Sequence, residues 1–162
     1  MTIPDPYMVS FFQTEAPGCM SGNQLDTTCT GLTSIQYFFG DGALYDLNGL
    51  QWCPNLRSVR LEQTNTPPQL PPLPSSVTHL MVENDLFEFP NGYQLPPGLR
   101  HLNLRDVPNS TIPDLPQWTN HLGIHDSQIR DLPALNTGLD SLNVSYTAHL
   151  ATNANQPQGL RM

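Results

Sequence analysis

Five histidines, three cysteines and 14 acidic side chains carry most of the reactive chemistry of this 162-residue chain. Three of the histidines, His79, His101 and His121, lie 22 and then 20 residues apart. Such side chains meet only if the chain returns to the same place at that interval, as stacked repeats do. The three imidazoles would then form a column with steps of about 4.8 Å. Two neighbours at that spacing can converge on one zinc ion through bonds of about 2.1 Å. A third ligand is harder to find. His79 and His121 would stand about 9.6 Å apart, and His125, four residues along the strand, more than about 10 Å from His121. A metal centre on His79, His101 and His121 therefore needs an external ligand. The column reads first as a polar ladder on a recognition surface. Metal or small-ligand binding is the alternative, and a pH-sensitive contact a further one, because stacked histidines resist simultaneous protonation.

The remaining reactive residues point to no enzyme. Cys19 and Cys29 are close enough in sequence to pair, which would suit an oxidising compartment. Three small buried thiols, with Cys53 as the third, are the equal alternative. No C-x-x-C is present, which excludes a zinc knuckle. There is no glycine-rich phosphate loop, no G-x-S-x-G and no H-E-x-x-H. Asp106 with His125, or Asp126 with His101, could in principle pair near a serine, but a hydrolase also needs a concave pocket. The expectation is a non-catalytic chain with no cofactor.

The elements that would hold these residues follow from one short pattern, apolar-x-x-apolar-x-apolar. It occurs at Leu32/Ile35/Tyr37, Leu56/Val59/Leu61, Val77/Leu80/Val82, Leu99/Leu102/Leu104 and Leu139/Leu142/Val144, with a weaker copy at Thr119/Leu122/Ile124. The first positions are 24, 21, 22, 20 and 20 residues apart. The middle and third apolar residues sit two apart on a short strand and face one side, while the first points inward from the preceding turn. No unit can cover its own apolar face, so neighbours stack around a shared core. Strands are expected to start near residues 34, 58, 79, 101, 121 and 141.

On these motifs the chain resembles the leucine-rich repeats over roughly residues 30 to 147. The segments "LPPLPSSVTHLMVENDLFEFP", "LPPGLRHLNLRDVPNSTIPDLP" and "LPALNTGLDSLNVSYT" are similar to the short bacterial subclass found in effectors delivered into host cells. The front, "IPDPYMVSFF" and "TGLTSIQYFFGDGALYDLNGLQWCPNLRSVRL", is similar to bacterial secreted and surface repeat proteins, which open with an I-P-D-P helix cap. The resemblance implies an α/β solenoid: a leucine-rich-repeat horseshoe of about six short parallel strands with proline-rich convex arcs. It also implies protein recognition, or the substrate-binding half of a larger secreted effector. The family's ninth-position asparagine reads Gly40, Thr64, Asp85, Val107, Ser127 and Thr147 here. Glycine and valine cannot supply its hydrogen bonds, so looser turns are expected after the first and fourth strands.

The expected organisation is a cap over residues 1–31, repeats over 32–147 and a tail over 148–162. Asp5 and Pro6 suit the start of a helix over 6–16, with Met8, Phe11, Phe12 and Ala16 as its apolar stripe and Pro17-Gly18 as its stop. The arcs "TPPQLPPLPSS", "FPNGYQLPPG", "TIPDLPQW" and "DLPALNTG" should run extended. The tail either folds over the last strand or leaves an edge open to self-association.

In such a solenoid the residues flanking the strand leucines face solvent on the inner curve. Position three reads Ser34, Ser58, His79, His101, His121, Ser141; position five reads Gln36, Arg60, Met81, Asn103, Gly123, Asn143. Position seven reads Phe38, Glu62, Glu83, Arg105, His125, Ser145, and position eight reads Phe39, Gln63, Asn84, Asp106, Asp126, Tyr146. Tyr37 points inward in this register. Phe38 and Phe39 are either exposed binding residues or covered by the adjoining cap or the long first repeat. Binding is expected through this face, by Arg60, Glu62, Met81, Glu83, Asn103 and Arg105 beside the histidines and the two phenylalanines.

Composition limits the partner. All six cations are arginine, and with 14 acids the net charge is −8. Nucleic acid and anionic membrane surfaces are poor fits, since both need many cations. No apolar window approaches a membrane span, and the start lacks a signal-peptide pattern. The partner is expected to be another protein, with a host-cell protein among the candidates, met by a secreted, surface or delivered chain.

Overall fold

The computed structural model describes residues 1–64, 68–84 and 86–145. Its repeats form a parallel six-stranded sheet in chain order: β3 (Tyr37–Gly42), β4 (Ser58–Thr64), β5 (His79–Glu83), β6 (His101–Arg105), β7 (His121–His125) and β8 (Ser141–Ser145). A small hairpin of β1 (Met20–Ser21) and β2 (Gln24–Leu25) precedes them in the cap. The last five strands start where the repeat spacing places them. Residues alternate between core and surface along β5 and β6, because one sheet face packs on the arcs and the other is open, while on β7 Gly123 is buried as well. The proline-rich arcs contain no α-helix among the described residues, and single parallel bridges join neighbouring arcs at Asp46–Gln69 and Thr111–Asp131.

The first rung departs from the expected register. β3 starts at Tyr37, and its partners are Tyr37–Ser58, Phe38–Val59, Phe39–Arg60 and Gly40–Leu61. The repeat thus begins at Ile35, 21 residues before Leu56, and reads Ile35-x-x-Phe38-x-Gly40. Phe38 is 2% exposed and Tyr37 69% exposed, the reverse of the expected facings. Glycine replaces the third apolar residue for a packing reason. A Cβ on Gly40 would stand 2.5 Å from Leu44 Cδ2 and 2.8 Å from the Phe38 ring. The large ring has taken the volume that a leucine, valine or isoleucine fills on the other rungs.

Below the sheet, Val59, Leu80, Leu102, Leu122 and Leu142 pair rung to rung and are all buried. Thr119 stands where the other rungs place an apolar residue; it is buried, and its hydroxyl donates to the Leu99 carbonyl at 3.1 Å. The turn after β5 uses Asn84, one residue before the expected position. Buried at the strand's end, Asn84 donates to Thr64 Oγ1 and accepts the Leu86 N–H at 2.8 Å. Asn84 therefore does not face solvent as position eight was expected to. Beside Val107 the next rung compensates: Ser127 Oγ accepts the Val107 N–H at 3.2 Å and donates to the His125 carbonyl at 2.7 Å. The loose turn expected after the first strand rested on the wrong register.

The cap closes the open end of the first rung. Helix α1 (Pro6–Glu15) buries Met8 and Phe12, with Ala16 just beyond it. Asp5 does more than cap it. One carboxylate oxygen accepts the Tyr7 and Met8 N–H groups at 2.7 and 3.3 Å; the other accepts those of Tyr45 and Asp46 at 2.7 and 3.0 Å. The same buried side chain thus ties the helix to the first repeat. Phe38 meets the cap edge-on, 4.9 Å from Phe11. Behind α1, the hairpin of β1 (Met20–Ser21) and β2 (Gln24–Leu25) turns through Gly22, where φ is 60°. A disulfide joins Cys19 to Cys29, leaving Cys53 buried and free, its thiol pushed up to about 12 by burial. Residues 85 and 146–162, which include Asp85, Tyr146, Thr147 and the tail with its possible self-association edge, lie outside the described residues.

Candidate functional site

Strand pairing fixes the columns of the open sheet face. Position three runs Tyr37, Ser58, His79, His101, His121, Ser141; position five runs Phe39, Arg60, Met81, Asn103, Gly123, Asn143. Position seven runs Asp41, Glu62, Glu83, Arg105, His125, Ser145. Eleven of the 12 candidate binding residues sit on this face. The exception is Phe38, which belongs to the core between sheet and cap. Phe39 does reach solvent, but in the position-five column, and Tyr37 and Asp41 join the face unforeseen. No apolar triplet marks their register in the sequence, because Gly40 stands where the third apolar residue would.

The histidines stack. His79 and His101 lie face to face, ring centres 4.3 Å apart and planes 5° from parallel. His101 and His121 are 5.6 Å apart and tilted by 35°. Burial, and then the neighbouring His79 and His121, hold the His101 imidazole below its ordinary range. The central ring is thus held towards the neutral form. Face-to-face rings present their lone pairs side by side instead of towards one point. Among the described residues no group of three or more His, Cys, Asp or Glu side chains is arranged to hold a metal ion.

Charged groups occupy the two sides of the ladder unequally. Arg60 pairs with Glu62 and lies over the Phe39 ring, 5.8 Å from its centre. Arg105 is the register partner of Glu83, yet it leans to Asp126 at 3.6 Å and Asp106 at 3.8 Å. Asp106 and Asp126 hold left-handed backbone at the ends of their strands, a conformation aspartate tolerates better than most residues. His125 Nδ1 shares a 2.6 Å hydrogen bond with Ser145 Oγ. Between these rungs Met81, Asn103, Arg105, His125, Asp126 and Ser145 line an open hollow of about 390 Å³. Beside it Gly123 is buried, because Asn103 Oδ1 occupies the space a Cβ would need there.

No family model matches the chain, and no curated protein sequence does. Among solved structures it is similar to YopM from Yersinia enterocolitica WA-314, with a TM-score of 0.56 at 29% identity, over 72% of this chain and 30% of that one. The chain therefore spans less than a third of that protein's length. Parallel rungs, a helical cap and this likeness make the fold a leucine-rich-repeat-like solenoid.

Proposed function

We infer that the chain is a non-catalytic, bacterial-type recognition module that binds another protein on the concave sheet face. The observation that supports this most is the make-up of that face. Six rungs leave it open, and it carries Tyr37, Phe39, Arg60, Met81 and Arg105, the residue types that dominate protein interfaces. The arcs offer mostly proline and small polar groups. The histidine ladder serves as a polar strip of the same surface, since its rings stack instead of converging.

The disulfide supports an oxidising compartment, and so secretion or surface display over delivery into a reducing host cytosol. The test is capture of a partner from host or culture extracts, with the wild-type chain beside a triple variant, Arg60→Ala, His101→Ala and Arg105→Ala. The three side chains support no core, so the melting temperature should hold while affinity falls more than about tenfold. Equal affinity, with loss instead from substitutions in the arcs or cap, would move the site off the concave face.

A further inference from the structure

We propose that the cap-proximal half of the concave face docks a basic segment of the partner protein, rich in arginine or lysine. This rests on the concave-face reading and specifies its partner. In the observed register Asp41, Glu62 and Glu83 stand directly beside one another on three consecutive rungs. Like charges directly opposite on neighbouring strands destabilise a sheet unless something neutralises them. Glu62 alone is answered, by Arg60. Among the described residues Asp41 and Glu83 have no ion pair, and Arg105, the cation nearest Glu83 in register, turns to Asp126 and Asp106 instead.

The chemistry of the missing charge is displayed on the same face. Arg60 sits between the Phe39 ring and the Glu62 carboxylate, so a guanidinium already occupies one slot between an aromatic face and an acid. Tyr37, on the same strand as Phe39 and 69% exposed, offers a second aromatic surface with no cation on it among the described residues. A guanidinium or ammonium group over an aromatic ring is attracted by its quadrupole and gains further from a nearby carboxylate. On these three rungs three carboxylates (Asp41, Glu62 and Glu83) face one guanidinium, that of Arg60, in a chain with no lysine to compete. Charge complementarity thus selects a cationic occupant over an acidic one.

The test titrates the full chain, near physiological salt, with a short peptide of alternating arginine and serine and with its glutamate–serine counterpart. The basic peptide should bind saturably. The pair Asp41→Asn and Glu83→Gln should weaken it at least about tenfold, and Tyr37→Ala with Phe39→Ala by a similar factor. Asp114→Asn with Asp131→Asn makes the same change of net charge on the exposed arcs, and should leave binding within about twofold. No saturable binding, or equal losses in both charge pairs, would overturn the proposal. Binding of the acidic peptide alone, lost with Arg60→Ala and Arg105→Ala, would overturn the basic occupant while keeping the concave face. Binding of either peptide that no concave substitution disturbs would overturn both readings.

Discussion

Asp5 holds two parts of the molecule with one carboxylate, which makes it the most consequential polar residue of the cap. Asp5→Ala would leave the N–H groups of Tyr7, Met8, Tyr45 and Asp46 without their acceptor. Loss of a helix cap and of buried acceptors together should cost about 2–4 kcal/mol in chemical denaturation, with Asp5→Asn recovering part of it. A loss under about 0.5 kcal/mol would show that solvent replaces the carboxylate. His101 gives a pH effect of definite sign. Burial and its neighbours lower its folded value, so the unfolded chain takes up the proton first. Its contribution is therefore complete above the ordinary imidazole value of about 6.5 and declines as pH falls towards the lower folded value. Denaturation midpoints at about pH 7.5 and pH 5.5 should differ more for the wild type than for His101→Gln. Equal differences would remove the ladder as a source of pH dependence.

Among the elements, the strands show what a repeat pattern can and cannot reveal. Five rungs were readable because leucine, valine or isoleucine returns at fixed offsets and only a stacked sheet satisfies that spacing. Their solvent columns, with His79, His101 and His121 on neighbouring rungs, follow from the same count. The first rung hides its register because Gly40 replaces its third apolar residue, and Leu32 and Ile35 imitate the pattern three residues early. Leu32 in fact lies in the 3-10 turn Thr30–Ser34 that leaves the cap. The hairpin at Met20–Leu25 did carry a signal, the Gly22-Asn23 turn. The reach of Asp5 to Tyr45 and Asp46 did not, since it joins residues 40 and 41 positions apart. Core stacking makes a sharper test of the strands. Leu102 is fully buried between Leu80 and Leu122, so Leu102→Ala should cost about 2–5 kcal/mol through lost burial and a cavity. A cost below about 0.5 kcal/mol would contradict the register.

The chain as a whole is a one-dimensional stack with a sealed first end and one open face. Each rung touches only its neighbours, so the sheet holds its surface side chains at fixed steps. Regular spacing of exposed groups is what an extended recognition surface requires, and the proposed function draws on these columns instead of on a single cleft. The histidine column gives direct access to that surface, since His79 is exposed and His101 and His121 are partly so. The most direct test is carbethoxylation of the histidines, read residue by residue by mass spectrometry, in the free chain and in complex with a captured partner. Binding on the concave face should lower modification of His79, His101 and His121 together by about fivefold or more, as expected for groups at a desolvated interface centre. Full modification of all three in a complex that stays intact would contradict the concave face as the recognition surface.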